Sequence, residues 1–234
     1  MSELQRVELA PAWVLHRYPY RETSLIVEAL TRDQGRIGLV ARGARGRRRR
    51  GVALMPFAAL ALSFRRRGEL ATLTGAEAAG PTYAFTGKAF LAACYLNELV
   101  LRLTARDDPA PEVYRLYSDA LVRLEAETGP AVRRFEGRLI RALGFALPLT
   151  EDANGASLTA EERYRFDPAH GLEPAPAGEG HAGAMLAAIA AERFEDPLVL
   201  MAAGRIFRDV IAWHLDGRRL KSLEVARAFG RRAD

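Results

Sequence analysis

The chain has 234 residues, 49% hydrophobic and 27% charged, enough apolar side chain for one large core or two smaller ones. Its formal charge is +5, but the excess is confined to one end. Residues 1–80 hold 14 arginines against 7 acids, and residues 81–234 hold 20 basic residues against 22 acids. A single cysteine, Cys94, excludes an intramolecular disulfide framework and any multi-thiolate zinc site, and fits a reducing cytosol.

No run of about 20 apolar residues is available to cross a membrane. The longest candidate, Phe90 to Leu103, is interrupted by Asn97, Glu98 and Arg102. The opening MSELQRVELAPAWVL mixes charged residues among its apolar ones, unlike a signal peptide. The charge asymmetry points to a polyanion partner for the N-terminal part.

Residues 12–76 read as β structure. Ala12 to Leu15 and Thr23 to Leu30 are strand-like runs, and Asp33-Gln34-Gly35 turns into a third run at Ile37 to Val40. The glycines in and beside that third run suit a bulge or tight curvature. Phe57 to Phe64 and Glu69 to Leu73 are two further strands, joined by Arg65-Arg66-Arg67-Gly68 with a positive φ expected at the glycine. Five short strands with one long polar insertion fit a small bent barrel of OB type over residues 1–80.

From about residue 86 the apolar period becomes 3.6. Phe90, Leu91, Cys94, Tyr95, Leu99 and Leu103 define one helix face, with Cys94 in the core. A second helix carries Val113 to Leu124, and a third carries Val132, Phe135, Leu139, Ile140 and Leu143. Residues 148–181 read as an irregular connector, with a capping box at Thr159 and Glu162. Within it, Tyr164-Arg165-Phe166 is placed to pair near Gly171-Leu172. Met185 to Phe194 follows as a helix. Asp196-Pro197 then caps another, whose buried stripe is expected at Leu198, Met201, Ile206, Val210 and Trp213. A short helix over Ser222 to Phe229 completes an α+β chain: an N-terminal OB-fold barrel followed by a helical bundle over residues 81–234.

The densest chemical signal is residues 42–51, where Arg42, Arg45, Arg47, Arg48, Arg49 and Arg50 lie among glycines with no acid between them. Such a segment repels itself and has no helix preference, and loops of an OB barrel border its nucleic-acid groove. Arginine forks onto phosphate, and each contact releases a counterion. Arg36 and the Arg65, Arg66 and Arg67 hairpin extend this candidate DNA-binding set. Tyr18 and Tyr20, in the polar segment HRYPYRE, are the candidates for base stacking; Phe57 and Phe64 are placed in the core.

The four histidines are scattered and follow no metal-ligand spacing, and no GxxxxGK[ST] loop is present. The acid pairs Asp107-Asp108, Glu151-Asp152 and Glu161-Glu162 sit beside Pro or Gly or within the connector, where solvated acids are usual. Two rivals to a DNA-binding module stand beside it: an RNA-binding or ribosome-associated OB protein, and a metal-dependent nuclease built on the acid pairs.

Several ordered blocks resemble the bacterial RecO family of DNA repair proteins. They are Tyr20 to Leu25, Gly35-Arg36, Val40 to Arg45, Leu54 to Phe57 and Tyr95 to Leu99, then Arg133 to Glu136, Leu143 to Phe145 and Leu220 to Ser222. The resemblance implies an OB-fold with a helical domain and a non-enzymatic, cytoplasmic, nucleoid-associated role without a cofactor. It implies binding of single- and double-stranded DNA, annealing of complementary strands, and work with RecR to load RecA onto DNA coated by single-strand-binding protein. It also implies a contact with the C-terminal tail of that protein, for which Arg133 and Arg134 are the matching basic residues. Many members carry a four-cysteine zinc motif after the Leu-Gly-Phe block, whereas Pro148 to Gly180 here contains no cysteine.

Overall fold

A computed structural model describes residues 5–45, 52–145 and 147–230. Five strands, β1 (Gln5–Tyr20), β2 (Ser24–Thr31), β3 (Gly35–Ala41), β4 (Ala58–Arg66) and β5 (Leu70–Thr82), close into a barrel in the order β1-β2-β3-β5-β4. Only the β3–β5 pair is parallel. The architecture is that of an OB-type barrel followed by helices, in agreement with the sequence reading.

Closure requires strong curvature, and the bulges that supply it lie in β1, between Val7 and Ala10 and between Val14 and His16, and in the β4–β5 pair. The expected bulge at the β3 glycines is absent, because the β2–β3 register runs without a shift. Gly35 does take a positive φ of 67° at the β2–β3 turn. Gly38 is needed for close approach: a Cβ there would stand 2.7 Å from Leu70 Cδ2. Gly68 does not adopt positive φ, so the β4–β5 hairpin needs no left-handed residue at that point. Ala12, Val14, Val27, Ala29, Ile37, Leu39, Leu60, Leu62 and Phe64 fill the barrel, and Phe57 is buried beside it at 6% exposure.

Helices follow: α1 (Gly87–Leu103), α2 (Pro111–Arg123), α3 (Thr128–Ala142), α4 (Gly183–Ala190), α5 (Pro197–His214) and α6 (Lys221–Gly230). Two compact units result. The first comprises Met1–Leu121 with Lys221–Asp234, and the second comprises Val122–Leu220.

In the first unit the middle of β1, Ala12 to Leu15, is buried on both faces. Trp13 and Leu15 point away from the barrel core, where the Trp13 indole N–H donates to Ser118 Oγ at 2.7 Å. The Asn97 amide donates to the Leu15 carbonyl at 2.7 Å and accepts from the Tyr117 hydroxyl. This chain satisfies polar groups that would otherwise be orphaned in a dry site. Burial pushes the Tyr117 hydroxyl well above its ordinary pKa. Cys94 lies half-buried on α1, while Phe90, expected inside, is 45% exposed and meets Phe57 only edge-on. Helix α6 packs against α1, and the Glu98 carboxylate accepts from the backbone N–H groups of Lys221 (3.0 Å) and Ser222 (2.8 Å) and from the Ser222 hydroxyl (2.7 Å). Glu98 thereby caps α6 from another helix.

In the second unit α3 packs on α5. Gly137 allows the approach, since a Cβ there would stand 3.0 Å from the Phe207 ring. That contact selects the buried face of α5: Val199, Ala202, Ala203, Ile206, Phe207, Val210 and Ile211. The stripe expected from sequence is partly displaced, because Leu198, Met201 and Trp213 are 60%, 52% and 56% exposed. The Asp196 cap is as expected, its carboxylate accepting from Leu198 N at 2.8 Å.

The 148–181 connector is more ordered than its composition suggests. Strands β6 (Arg163–Asp167), β7 (Gly171–Pro174) and β8 (His181–Ala182) form a small antiparallel sheet in the order β7-β6-β8, including the expected pairing of Phe166 with Leu172. No helix starts at Thr159, so the capping box is not formed. The Thr159 N–H donates to the Tyr164 hydroxyl, which donates to Glu162. The segment offers no thiolate for a zinc ion, and Asp152 and Asp167 close its turns by accepting backbone N–H groups.

Candidate nucleic-acid interface

Alternation along the strands decides which side chains reach the outside of the barrel. Leu25, Val27 and Ala29 of β2, and Ile37, Leu39 and Ala41 of β3, face inward, so Ser24, Ile26, Glu28, Arg36, Gly38, Val40 and Arg42 lie on the outer side. The bulge after Val14 resets β1 so that His16, Tyr18 and Tyr20 oppose Glu28, Ile26 and Ser24 on that same side. At the open end of this face lies a concavity of about 450 Å³ lined by Tyr20, Arg21, Ser24, Val40, Arg42 and Thr72.

Two turns build its rim. The Arg45 N–H donates to the Thr23 carbonyl at 2.9 Å, which joins the start of the arginine segment to the β1–β2 turn. The Arg21 guanidinium carbon lies 5.1 Å from the centre of the Tyr20 ring. Arg42 and Arg45 are exposed there, so two predicted arginines and one predicted tyrosine meet at a single rim with Arg21. Tyr18 is 47% exposed and lies 4.3 Å from His16, ring centre to ring centre. Burial holds the His16 imidazole below its usual pKa, against an opposing pull from Glu28. His16 was not among the sequence candidates. Its signal was the period-two spacing His16, Tyr18, Tyr20.

The remaining arginines divide. Arg36 is a correction to the sequence reading: its guanidinium is 13% exposed, bonded to Glu28 at 2.7 Å and to the Thr104 carbonyl at 2.9 Å, and it is a structural cation. Arg65 opposes Thr72, which opposes Val40, and Arg66 and Arg67 run from there toward the β4–β5 hairpin and the start of β3. Arg42 lies at its end, six residues or roughly 20 Å of strand away. Arg66 is ion-paired with Asp107, and Arg65 and Arg67 have exposed surface. The fold therefore sets Arg65 two strands from Val40, beside the concavity, and carries Arg67 away from it. Arg47, Arg48, Arg49 and Arg50 lie outside the described residues.

In the second unit Arg133 pairs with the fully buried Glu136 at 2.6 Å, and Arg134 pairs with Glu127 and Glu195, each at 2.9 Å. Arg133 also lines a groove of about 260 Å³ with Arg141, Leu149, Ile189, Phe194 and Phe207. Its walls are mostly apolar, and Arg133 and Arg141 share the lining with the acid Glu192. Among the described residues no group of three or more His, Cys, Asp or Glu side chains is placed to hold a metal ion. No helix among them is long and apolar enough to cross a membrane.

These features define a class: an OB-barrel protein with an arginine-and-tyrosine rim, continued by helices. The family profile described as Recombination protein O N terminal matches residues 5–82, and that described as Recombination protein O C terminal matches residues 84–224. The DNA repair protein RecO of Alkalilimnicola ehrlichii is 44% identical over 233 residues, covering 97% of this chain and 93% of that protein. That of Halorhodospira halophila is 43% identical, covering 94% and 96%. That of Methylococcus capsulatus is 42% identical, covering 95% and 94%. The chain belongs to the RecO family of DNA repair and recombination proteins.

Proposed function

We propose that the chain is a non-enzymatic recombination mediator that binds single- and double-stranded DNA, anneals complementary strands and, with RecR, helps load RecA onto DNA coated by single-strand-binding protein. The observation that carries the reading is the outer-face concavity, where Tyr20 offers a ring and Arg21, Arg42 and Arg45 offer guanidinium groups at one rim. Stacking platforms within a basic groove suit single strands without sequence preference. Contacts to phosphate lower the repulsion between two strands, so bases can pair, and binding is strongly salt-dependent.

The work divides between the barrel of residues 1–80, which takes the DNA, and the helical part of residues 81–234, which takes proteins. The groove beside Arg133 joins apolar side chains to Arg133 and Arg141, two guanidinium groups against the one carboxylate of Glu192, which suits the acidic, hydrophobic C-terminal tail of single-strand-binding protein. The setting is the cytoplasm, at the nucleoid. The test is annealing of complementary strands precoated with single-strand-binding protein, with RecR present or absent. Acceleration by this chain supports the proposal, and no acceleration over spontaneous pairing overturns it.

A further inference from the structure

Trp213, near the end of α5, is 56% exposed, an unusual position for a large apolar ring. Immediately after it the chain makes a tight turn. Asp216 and Gly217 take positive φ of 51° and 70°, with N–H groups of Asp216, Gly217 and Arg218 bonded back to the carbonyls of Trp213, Ala212 and Leu215. Leu215 and Leu220, both 7% exposed, anchor the two sides of the turn, so Arg218 and Arg219 are displayed from a fixed base. Several other arginines of this unit, Arg133, Arg134, Arg138, Arg141 and Arg165, meet carboxylates. Arg218 and Arg219 form no ion pair among the described residues, and both are exposed.

We propose that Trp213, Arg218 and Arg219 form a second single-stranded DNA contact, separate from the barrel rim. The exposed residues beside Trp213 on its helix are Asp209, Ala212 and His214, the last stacked on Phe145 at 3.5 Å, so the indole is flanked by a charge, a methyl group and a flat ring pair. A flat base stacks on an indole without walls, while an apolar peptide side chain needs them. Arginines on a rigid turn meet the phosphates flanking that base. The inference rests on the nucleic-acid reading above and supplies what annealing requires, a hold on a second strand.

The two tryptophans make the test direct, because Trp13 is 4% exposed and enclosed by Tyr83 and Tyr117. Intrinsic fluorescence of the full chain is titrated with an oligothymidylate, while anisotropy of the labelled oligonucleotide reports total binding. The expected result is a strong quench that disappears in Trp213→Phe. Arg218→Ala/Arg219→Ala should lower the salt slope by up to about 1.4, at about 0.7 per phosphate on single strands. Binding by anisotropy without any quench overturns this inference and leaves the barrel reading standing. Absence of binding in both signals overturns both. A quench given by an acidic peptide and not by the oligonucleotide also overturns it.

Discussion

The Arg106 guanidinium reaches the Glu28 carboxylate by passing over Gly38, close enough that a Cβ on that glycine would stand 3.1 Å from Arg106 Cζ. Glu28 is 4% exposed and is also held by Arg36 at 2.7 Å. One buried acid thus ties β2 and β3 to the chain beyond α1. Glu28→Gln leaves two guanidinium groups short of a counter-charge and should cost about 2–3 kcal/mol, toward the low end for a buried pair because Arg106 is 36% exposed. Gly38→Ala should cost about 1–3 kcal/mol by overpacking. Urea midpoints of the two variants measure both, and wild-type values would refute the role given to this cluster.

At the barrel rim, Tyr20→Ala should weaken single-strand binding by about 1–3 kcal/mol, the usual worth of one stacked base. Arg42→Ala/Arg45→Ala should lower the salt slope by about 0.7 for each lost phosphate contact. Arg67→Ala, at the hairpin turn beside the start of β3, should change neither. Fluorescence anisotropy at several salt concentrations separates these outcomes.

The arginine run itself makes a larger prediction. Replacing Arg47 to Arg50 together with alanine should remove up to about four counterions' worth of slope, about 0.7–0.9 each. An unchanged slope would take the run out of the interface.

Arg141 is the suitable probe of the second groove. It is 58% exposed, whereas removing Arg133 would strand the buried Glu136. Arg141→Ala should weaken binding of a peptide copied from the tail of single-strand-binding protein about fivefold, the worth of roughly 1 kcal/mol from one partly solvated charged contact. Calorimetric titration of that peptide reads the change directly, and equal affinity would exclude Arg141 from the contact.

Glu192 gives a pH dependence. Burial alone would raise its pKa, but Arg138 at 2.6 Å and Arg141 at 3.0 Å outweigh burial and hold it below the ordinary 4.5. A carboxylate depressed by folding contributes stability above its unfolded value, and that stability is lost as pH falls through the folded value. The advantage of wild type over Glu192→Gln in thermal midpoint should be full at pH 7 and shrink below 4.5. A constant difference at all pH values would remove the pairing as its source.

The barrel was readable in the chain because inward positions alternate with polar ones, and the rim was readable at Arg42, Arg45 and Tyr20 because turn chemistry places them at strand ends. What escaped depends on distant partners. Arg36 resembles any outward arginine until Arg106, seventy residues later, covers that stretch of sheet with Glu28 beneath it. The hairpin arginines look equivalent to those at 42–51, yet Arg66 has Asp107 for a neighbour. On α5 the more apolar Leu198 and Met201 suggested one face, whereas the small residues that admit Phe207 against Gly137 chose another. Hydrophobicity ranks side chains, but close packing ranks shapes.

The cap that Glu98 places on α6 has a consequence for synthesis. The first unit begins at the N-terminus, yet its last helix is translated only after the whole second unit. At about 5–20 residues per second, α1 waits roughly ten seconds for the partner that covers it. During that interval a ribosome carries a closed barrel whose adjoining helix still lacks its last partner, and a message cut short near its end would release a chain that never completes its first unit.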